Sequence, residues 1–151
     1  MNIILASKSP RRISLLKKIG LDFKVIPSKL DESLIQLKKD AKKHCQNLSI
    51  LKAKSIAKKR PKDLIIGADT IVEIENKILE KPLNANNAFK MLKSLSGKEH
   101  SVHTGIAITS ILNKININFV ETTKVKFFNL TDSEINYYIK TILRLYYAKR
   151  V

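Results

Sequence analysis

Cysteine is nearly missing from this chain of 151 residues: Cys45 stands alone. One thiol excludes an intrachain disulfide and a thiolate metal cluster, and it suits a reducing, cytoplasmic setting. Tryptophan is absent and the tyrosines, Tyr137, Tyr138, Tyr146 and Tyr147, lie at the far end, so no single-strand stacking platform is visible among the basic residues. Long apolar runs are missing too. Nothing has the length of a leader's apolar stretch or of a bilayer span, which predicts a soluble chain with no membrane partner. Glycine and proline are sparse and form no linker, so a single domain over residues 1–151 is expected. His44, His100 and His103 form no helical pair, and the last two fall on opposite faces of what reads as a strand, which argues against a zinc site.

Acidic side chains are scarce as well. Against 29 Lys+Arg stand 13 Asp+Glu, and the net charge of +16 favours anionic partners such as nucleotides, nucleic acid or acidic lipid. The lysines are scattered through helices and loops, however, beside a heavy use of Ile and Asn of the kind an AT-rich genome produces without a selected partner. A basic nucleic-acid binder stays as an alternative, with no specific nucleic acid indicated.

What is present begins at the N-terminus. Ile3, Ile4 and Leu5 read as a short buried strand that runs into Ala6-Ser7-Lys8-Ser9-Pro10-Arg11-Arg12. Ser9 suits an N-cap and Pro10 the first helical position, and Leu15, Leu16 and Ile19 supply an apolar stripe before Gly20. A helix starting at Pro10 or Arg11 offers unpaired N–H groups and partial positive charge to an anion, with Ser7, Ser9, Arg11 and Arg12 as further donors. Many helices begin with Ser-Pro for capping alone, so this signal is weak by itself.

Further along, Phe23, Val25 and Ile26 suggest a second strand before a polar loop holding Asp31 and Glu32. A basic helical pattern runs from about Leu34 to Lys59, with Leu48, Leu51 and Ile56 on its apolar face, and Arg60-Pro61 stops it. Leu64 to Ile66 form a compact apolar run, followed by Gly67-Ala68-Asp69-Thr70 and then Ile71-Val72. A carboxylate between such flanks must reach a cation, a hydrogen-bond network or a cleft, because burying an unpaired charge is costly. Glu73 to Lys77 reads as a hairpin turn and Asn84 as the cap of a helix carrying Ala88, Met91, Leu92 and Leu95, a stripe most simply read as core. Val102 to Ile111 and Ile115 to Phe128 read as strands, and Thr131 to Glu134 as a capping box. The fold class is α/β, with a mixed twisted sheet and flanking helices.

Three kinds of group thus occur together: an anion-binding helix start, acids at Glu32, Asp69 and Glu80, and cations at Lys52 and Lys81. A nucleoside triphosphate site needs this combination. Carboxylates hold a hard divalent cation and orient water, while Arg and Lys neutralise phosphate oxygens. Taken singly, Arg12 reads as the partner of a helix carboxylate, Lys52 as one of many surface lysines and Glu80 as a turn residue. Asp69 is the exception, and its apolar flanks point to a functional role.

These residues, with Ile78-Leu79-Glu80-Lys81-Pro82, Leu95-Ser96-Gly97-Lys98, His100 and Thr104-Gly105, resemble the Maf family of nucleoside triphosphate pyrophosphatases over roughly residues 2 to 140. The resemblance implies a fold related to the inosine triphosphate pyrophosphatases, two lobes around a cleft, and a homodimer. It implies hydrolysis of a nucleoside triphosphate to the monophosphate and pyrophosphate with Mg or Mn. It makes Asp69 the general base or metal-orienting carboxylate and Glu32 the second acidic position. Lys52 and Lys81 become the lysines facing phosphate, and Ser7, Arg11 and Arg12 part of the N-terminal grip. Arg11 and Thr70 also match the branch acting on dTTP and UTP, whereas the branch acting on 7-methyl-GTP carries an apolar aromatic and a Gln there. On this reading Asp69, directly or through the metal, activates a water that attacks the α-phosphorus, and pyrophosphate leaves.

The resemblance stops near Thr141. The family normally continues with a Lys-Ala-Gly-Ala-Tyr-Gly-Ile-Gln-Gly type of segment, whereas residues 142–151 read as an atypical, replaced or out-of-frame tail. Loss of the last strands is expected to leave sheet edges unpaired, and the tail to extend the last helix through Ile139, Ile142, Leu143 and Tyr146. A second alternative follows, a catalytically impaired protein acting in septum and cell-division interactions.

Overall fold

The computed structural model describes residues 1–36 and 39–147, with side chains through Thr141. The chain divides into two compact units, Met1–Ile71 with His103–Thr122, and Val72–Val102 with the residues from Thr123 onward. The tail packing expected of Ile142, Leu143 and Tyr146, and the residues 148–151, lie outside the described side chains and residues.

In the first unit the apolar start forms β1 (Ile3–Leu5), which pairs in parallel with β2 (Lys24–Val25) on one side and β3 (Leu64–Ile74) on the other. The connection is α1 (Pro10–Lys18), with Pro10 at its first position as expected. Ser9 takes the cap position but makes no side-chain cap bond; its own N–H donates to Ser7 Oγ at 3.3 Å. The stripe read on this helix does not enter the core, since Leu15 is 62% and Ile19 74% exposed.

The long basic helix is shorter than its periodicity suggested. α2 spans Ala41–Ala57, because two aspartates each begin a structure of their own. Asp31 caps a single 3-10 turn, Glu32–Leu34, by accepting from the Ser33 N–H and hydroxyl, and Asp40 caps α2 by accepting from the Lys43 N–H at 3.0 Å. The buried side of α2 is Ala41, His44, Cys45, Leu48, Ser49, Lys52, Ala53, Ile56 and Ala57, a helical stripe that includes one lysine. Ala53, Ile56 and Ala57 pack with Ile4, Ala6, Ile65 and Ala107 as the core of this unit.

Strand order is β2-β1-β3-β5-β6, where β5 is Glu99–Ser110 and β6 is Ile115–Lys126. With β4 (Lys77–Leu79) antiparallel to β3 and β1 parallel to it, the sheet is mixed, as read from the sequence.

In the second unit β3 turns into β4 through Glu75 and Asn76, both at positive φ (49° and 62°), the twist a two-residue hairpin requires. Asn84 caps α3 (Ala85–Leu95) by accepting from the Asn87 N–H at 2.8 Å. Thr131 and Glu134 form the expected capping box of α4 (Asp132–Tyr147). Leu92, Ile135 and Ile139 make this unit's core with Phe89, Phe127 and Leu130, so the α3 stripe is indeed packing. Among the described residues no helix is long and apolar enough to cross a membrane.

Candidate active site

The site grows from the way α2 lies on β3 in the first unit. Gly67 and Asp69, two apart on a strand, face the same side. At Gly67 a Cβ would run into the Ser49 carbonyl and come within 2.8 Å of the Ala53 nitrogen, so helix and strand meet backbone to backbone. Gly105 on β5 is pressed against the Cys45 carbonyl in the same manner. That close approach brings the next helical side chain, Lys52, onto Asp69. The Lys52 ammonium donates to Asp69 Oδ1 at 2.6 Å and stands 2.9 Å from Glu32 Oε1. Lys52 is 9% exposed and Asp69 6%, so this lysine is not one of the many at the surface. Asp69 has the cation its apolar flanks demanded.

Arg12, half-buried on the first turn of α1, organises the neighbouring region. Its Nη1 donates to Ser7 Oγ at 3.1 Å and to the Ala68 carbonyl at 3.0 Å, and its Nη2 donates to Thr70 Oγ1 at 3.0 Å. One guanidinium thus clamps the hydroxyl-rich turn after β1 to the strand that carries Asp69. Burial lowers the Arg12 pKa from its ordinary value; Asp69 raises it, Arg11 adds to the lowering, and Glu32 raises it. Both carboxylates are therefore electrostatic neighbours of Arg12. The helix-carboxylate pairing expected of Arg12 alone is replaced by these three bonds.

The structure brings Ser7, Arg12, Glu32, Lys52, Asp69 and Thr70 into one region of the first unit. Arg11 is exposed beside Arg12 on α1. Lys81 belongs to the second unit, in the exposed Glu80-Lys81-Pro82 segment after β4. One further residue joins them: the Thr104 hydroxyl on β5 lies 3.3 Å from that of Thr70, extending the polar line that Arg12 begins. A Thr among alternating strand residues gives little sequence signal of such a role.

Glu32 and Asp69 are the acids that could hold a metal. Their oxygens converge on one cation, Lys52, and among the described residues no group of three or more His, Cys, Asp or Glu side chains converges further. Two carboxylates fit Mg or Mn in the way these ions are usually held beside phosphate, with substrate oxygens and water completing the shell.

A family profile described as Maf-like protein matches residues 2–148. A dTTP/UTP pyrophosphatase of Ruminiclostridium cellulolyticum is 49% identical over 140 residues, covering 93% of this chain and 72% of that protein. A dTTP/UTP pyrophosphatase of Thermosipho africanus is 49% identical over 141 residues, covering 93% and 70%. Among solved structures, the Staphylococcus aureus Ham1 protein superposes with a TM-score of 0.55 at 20% identity, covering 83% of this chain and 71% of the other. A HAM1 protein from Coxiella burnetii gives 0.57 at 18% identity, covering 83% and 72%. At such identities the likeness is one of fold.

Proposed function

The chain belongs to the Maf-like protein family, and from that premise we propose that it is a nucleoside triphosphate pyrophosphatase, converting dTTP and UTP to the monophosphate and pyrophosphate. The observation that carries the reading is the Glu32–Lys52–Asp69 cluster, built beside a turn whose hydroxyls are fixed by Arg12. The names of the similar pyrophosphatases support the substrate, and Arg11 with Thr70 supports the pyrimidine branch.

Each side chain then has a task. Ser7 and the first-turn N–H groups of α1 receive phosphate oxygens, and Arg12 keeps Ser7 and Thr70 in register with Asp69. Arg11, exposed on the same turn, supplies charge to the triphosphate. Asp69 takes the proton of the water that attacks the α-phosphorus, and Lys52 offsets negative charge as pyrophosphate departs. Lys81 is assigned to the phosphates on its Glu80-Lys81-Pro82 motif alone. Glu32 and Asp69 would hold Mg or Mn, which supplies charge neutralisation on the phosphate oxygens. A homodimer in the cytoplasm is part of the same proposal, by family resemblance.

The test is pyrophosphate release from the purified chain with Mg or Mn across dTTP, UTP, CTP and purine triphosphates. Metal-dependent turnover favouring dTTP and UTP is expected, and EDTA abolishes it. Folded protein that releases no pyrophosphate from any of them overturns the reading.

A further inference from the structure

Lys52 stands where the two proposed metal-holding carboxylates meet, 2.6 Å from Asp69 Oδ1 and 2.9 Å from Glu32 Oε1. We propose that Lys52 is the resident cation of this pair, and that it keeps a divalent ion out until a triphosphate arrives. Metal and nucleotide then enter together, and metal alone binds poorly. The inference rests on reading Glu32 and Asp69 as the carboxylates that hold the metal.

Charge and burial carry the argument. The side chains of Lys52 and Asp69 are 11% and 8% exposed, so little water screens them, and a second cation placed between the same oxygens is strongly repelled. Arg12 adds a second positive group that feels both carboxylates. The two acids are thus already matched by two cations before any metal comes. A dication alone leaves the region with excess positive charge, whereas one arriving with a triphosphate brings its own compensation. No third acid or histidine converges on the pair among the described residues to draw the ion in by itself.

The side chains also suit an exchange. Asp69 is fixed on a central strand, and its approach to α2 is set by Gly67. Glu32 sits on a single 3-10 turn with its side chain 41% exposed, nearer to solvent than the 8% exposed side chain of Asp69. Lysine carries a compact point charge on a flexible four-carbon stem, and its ammonium can pass from carboxylate to phosphate by rotation alone. A guanidinium fork would be harder to redirect.

The experiment is Mn2+ binding to the full chain without nucleotide, followed by the electron paramagnetic resonance signal of free Mn2+. Wild type and Lys52→Arg are expected to bind weakly. Lys52→Met and Lys52→Gln, which lack the charge, are expected to bind at least about tenfold more tightly. Glu32→Gln added to Lys52→Gln removes the gain. Lys52→Met removes the Lys52 donor from the buried Asp69 and can unfold, so Lys52→Gln, which retains an amide N–H for Asp69, provides the second neutral variant, and circular dichroism verifies folding. Folded neutral variants that bind Mn2+ no better than wild type overturn the proposal. So does micromolar Mn2+ binding by the wild type alone, without recourse to any variant. Pyrophosphate release is read separately: an inactive chain with the expected Mn2+ behaviour refutes the activity and leaves the exchange standing, and an active chain without it does the reverse.

Discussion

Gly67 and Ser49 are in backbone contact: a Cβ on Gly67 would overlap the Ser49 carbonyl oxygen, and Ala53 closes the other side. The obstruction is helix main chain, which cannot rotate aside as a side-chain tip does. The same approach sets how far Lys52 must reach to Asp69, two residues along β3 from Gly67. Local packing and the ion pair therefore share one origin.

Gly67→Ala is accordingly expected to lower stability by about 1–3 kcal/mol in urea unfolding, as overpacking between fixed backbones does. It should also lower kcat, because α2 and β3 are forced apart at the ion pair. Gly20→Ala is the control. Gly20 has φ +74° but nothing within 4 Å of an added Cβ, so its cost is backbone strain of about 1–2 kcal/mol with activity retained. Equal activity in the two variants would contradict this account.

Asp69→Asn keeps the shape of the side chain and one oxygen to accept from Lys52, but it removes the proton acceptor and half of the carboxylate pair. Pyrophosphate release from dTTP should fall by at least about a hundredfold, the lower end of what a general base contributes. Wild-type turnover in a folded Asp69→Asn protein would remove Asp69 from the chemistry.

Arg12 makes three bonds in two directions, to Ser7, to the Ala68 carbonyl and to Thr70. A lysine cannot supply this fork, so Arg12→Lys is expected to reduce kcat by about a hundredfold through misplacement of the turn, with charge unchanged. Arg11 is exposed on the same turn, and Arg11→Ala should raise KM for the triphosphate while leaving kcat nearly as it was, the pattern of lost uniform binding. Steady-state kinetics on the two variants distinguishes them; the opposite split would exchange their roles.

How much of this could be read from the residues varies from place to place. Asp69 announced itself, since an acid between Ile66 and Ile71 needs a partner, whereas charge and periodicity alone left Lys52 one of many lysines, and only its match to the family pattern singled it out. Its place became clear from the buried stripe of α2, where it follows Ser49 by three residues and precedes Ile56 by four. The caps at Asn84 and Thr131 were legible because they are local bonds between close neighbours. Asp40 ended the reading of one long helix because periodicity tells which residues share a face and says nothing of where the first turn begins. The exposed stripe of Leu15 and Ile19 marks the same limit: spacing defines a face, and only tertiary structure supplies something to cover it.

His100 is one source of pH dependence in the stability of the fold. The ring is buried, sits edge-on to Phe127 with centroids 4.9 Å apart, and its Nδ1 has no hydrogen-bond partner among the described residues. Burial lowers its pKa from the ordinary value because the imidazolium would lose solvation. The unfolded chain, with an ordinary pKa of about 6.5, therefore binds a proton before the folded chain does. Stability from the neutral ring is fully present above that value, and it is lost as the pH falls through it toward the depressed folded pKa. Urea midpoints of wild type should consequently decline between about pH 7.5 and pH 5, and His100→Phe should decline less. The informative quantity is the difference between the two proteins at each pH. A difference that stays constant across the range would mean that the buried ring does not couple folding to protonation.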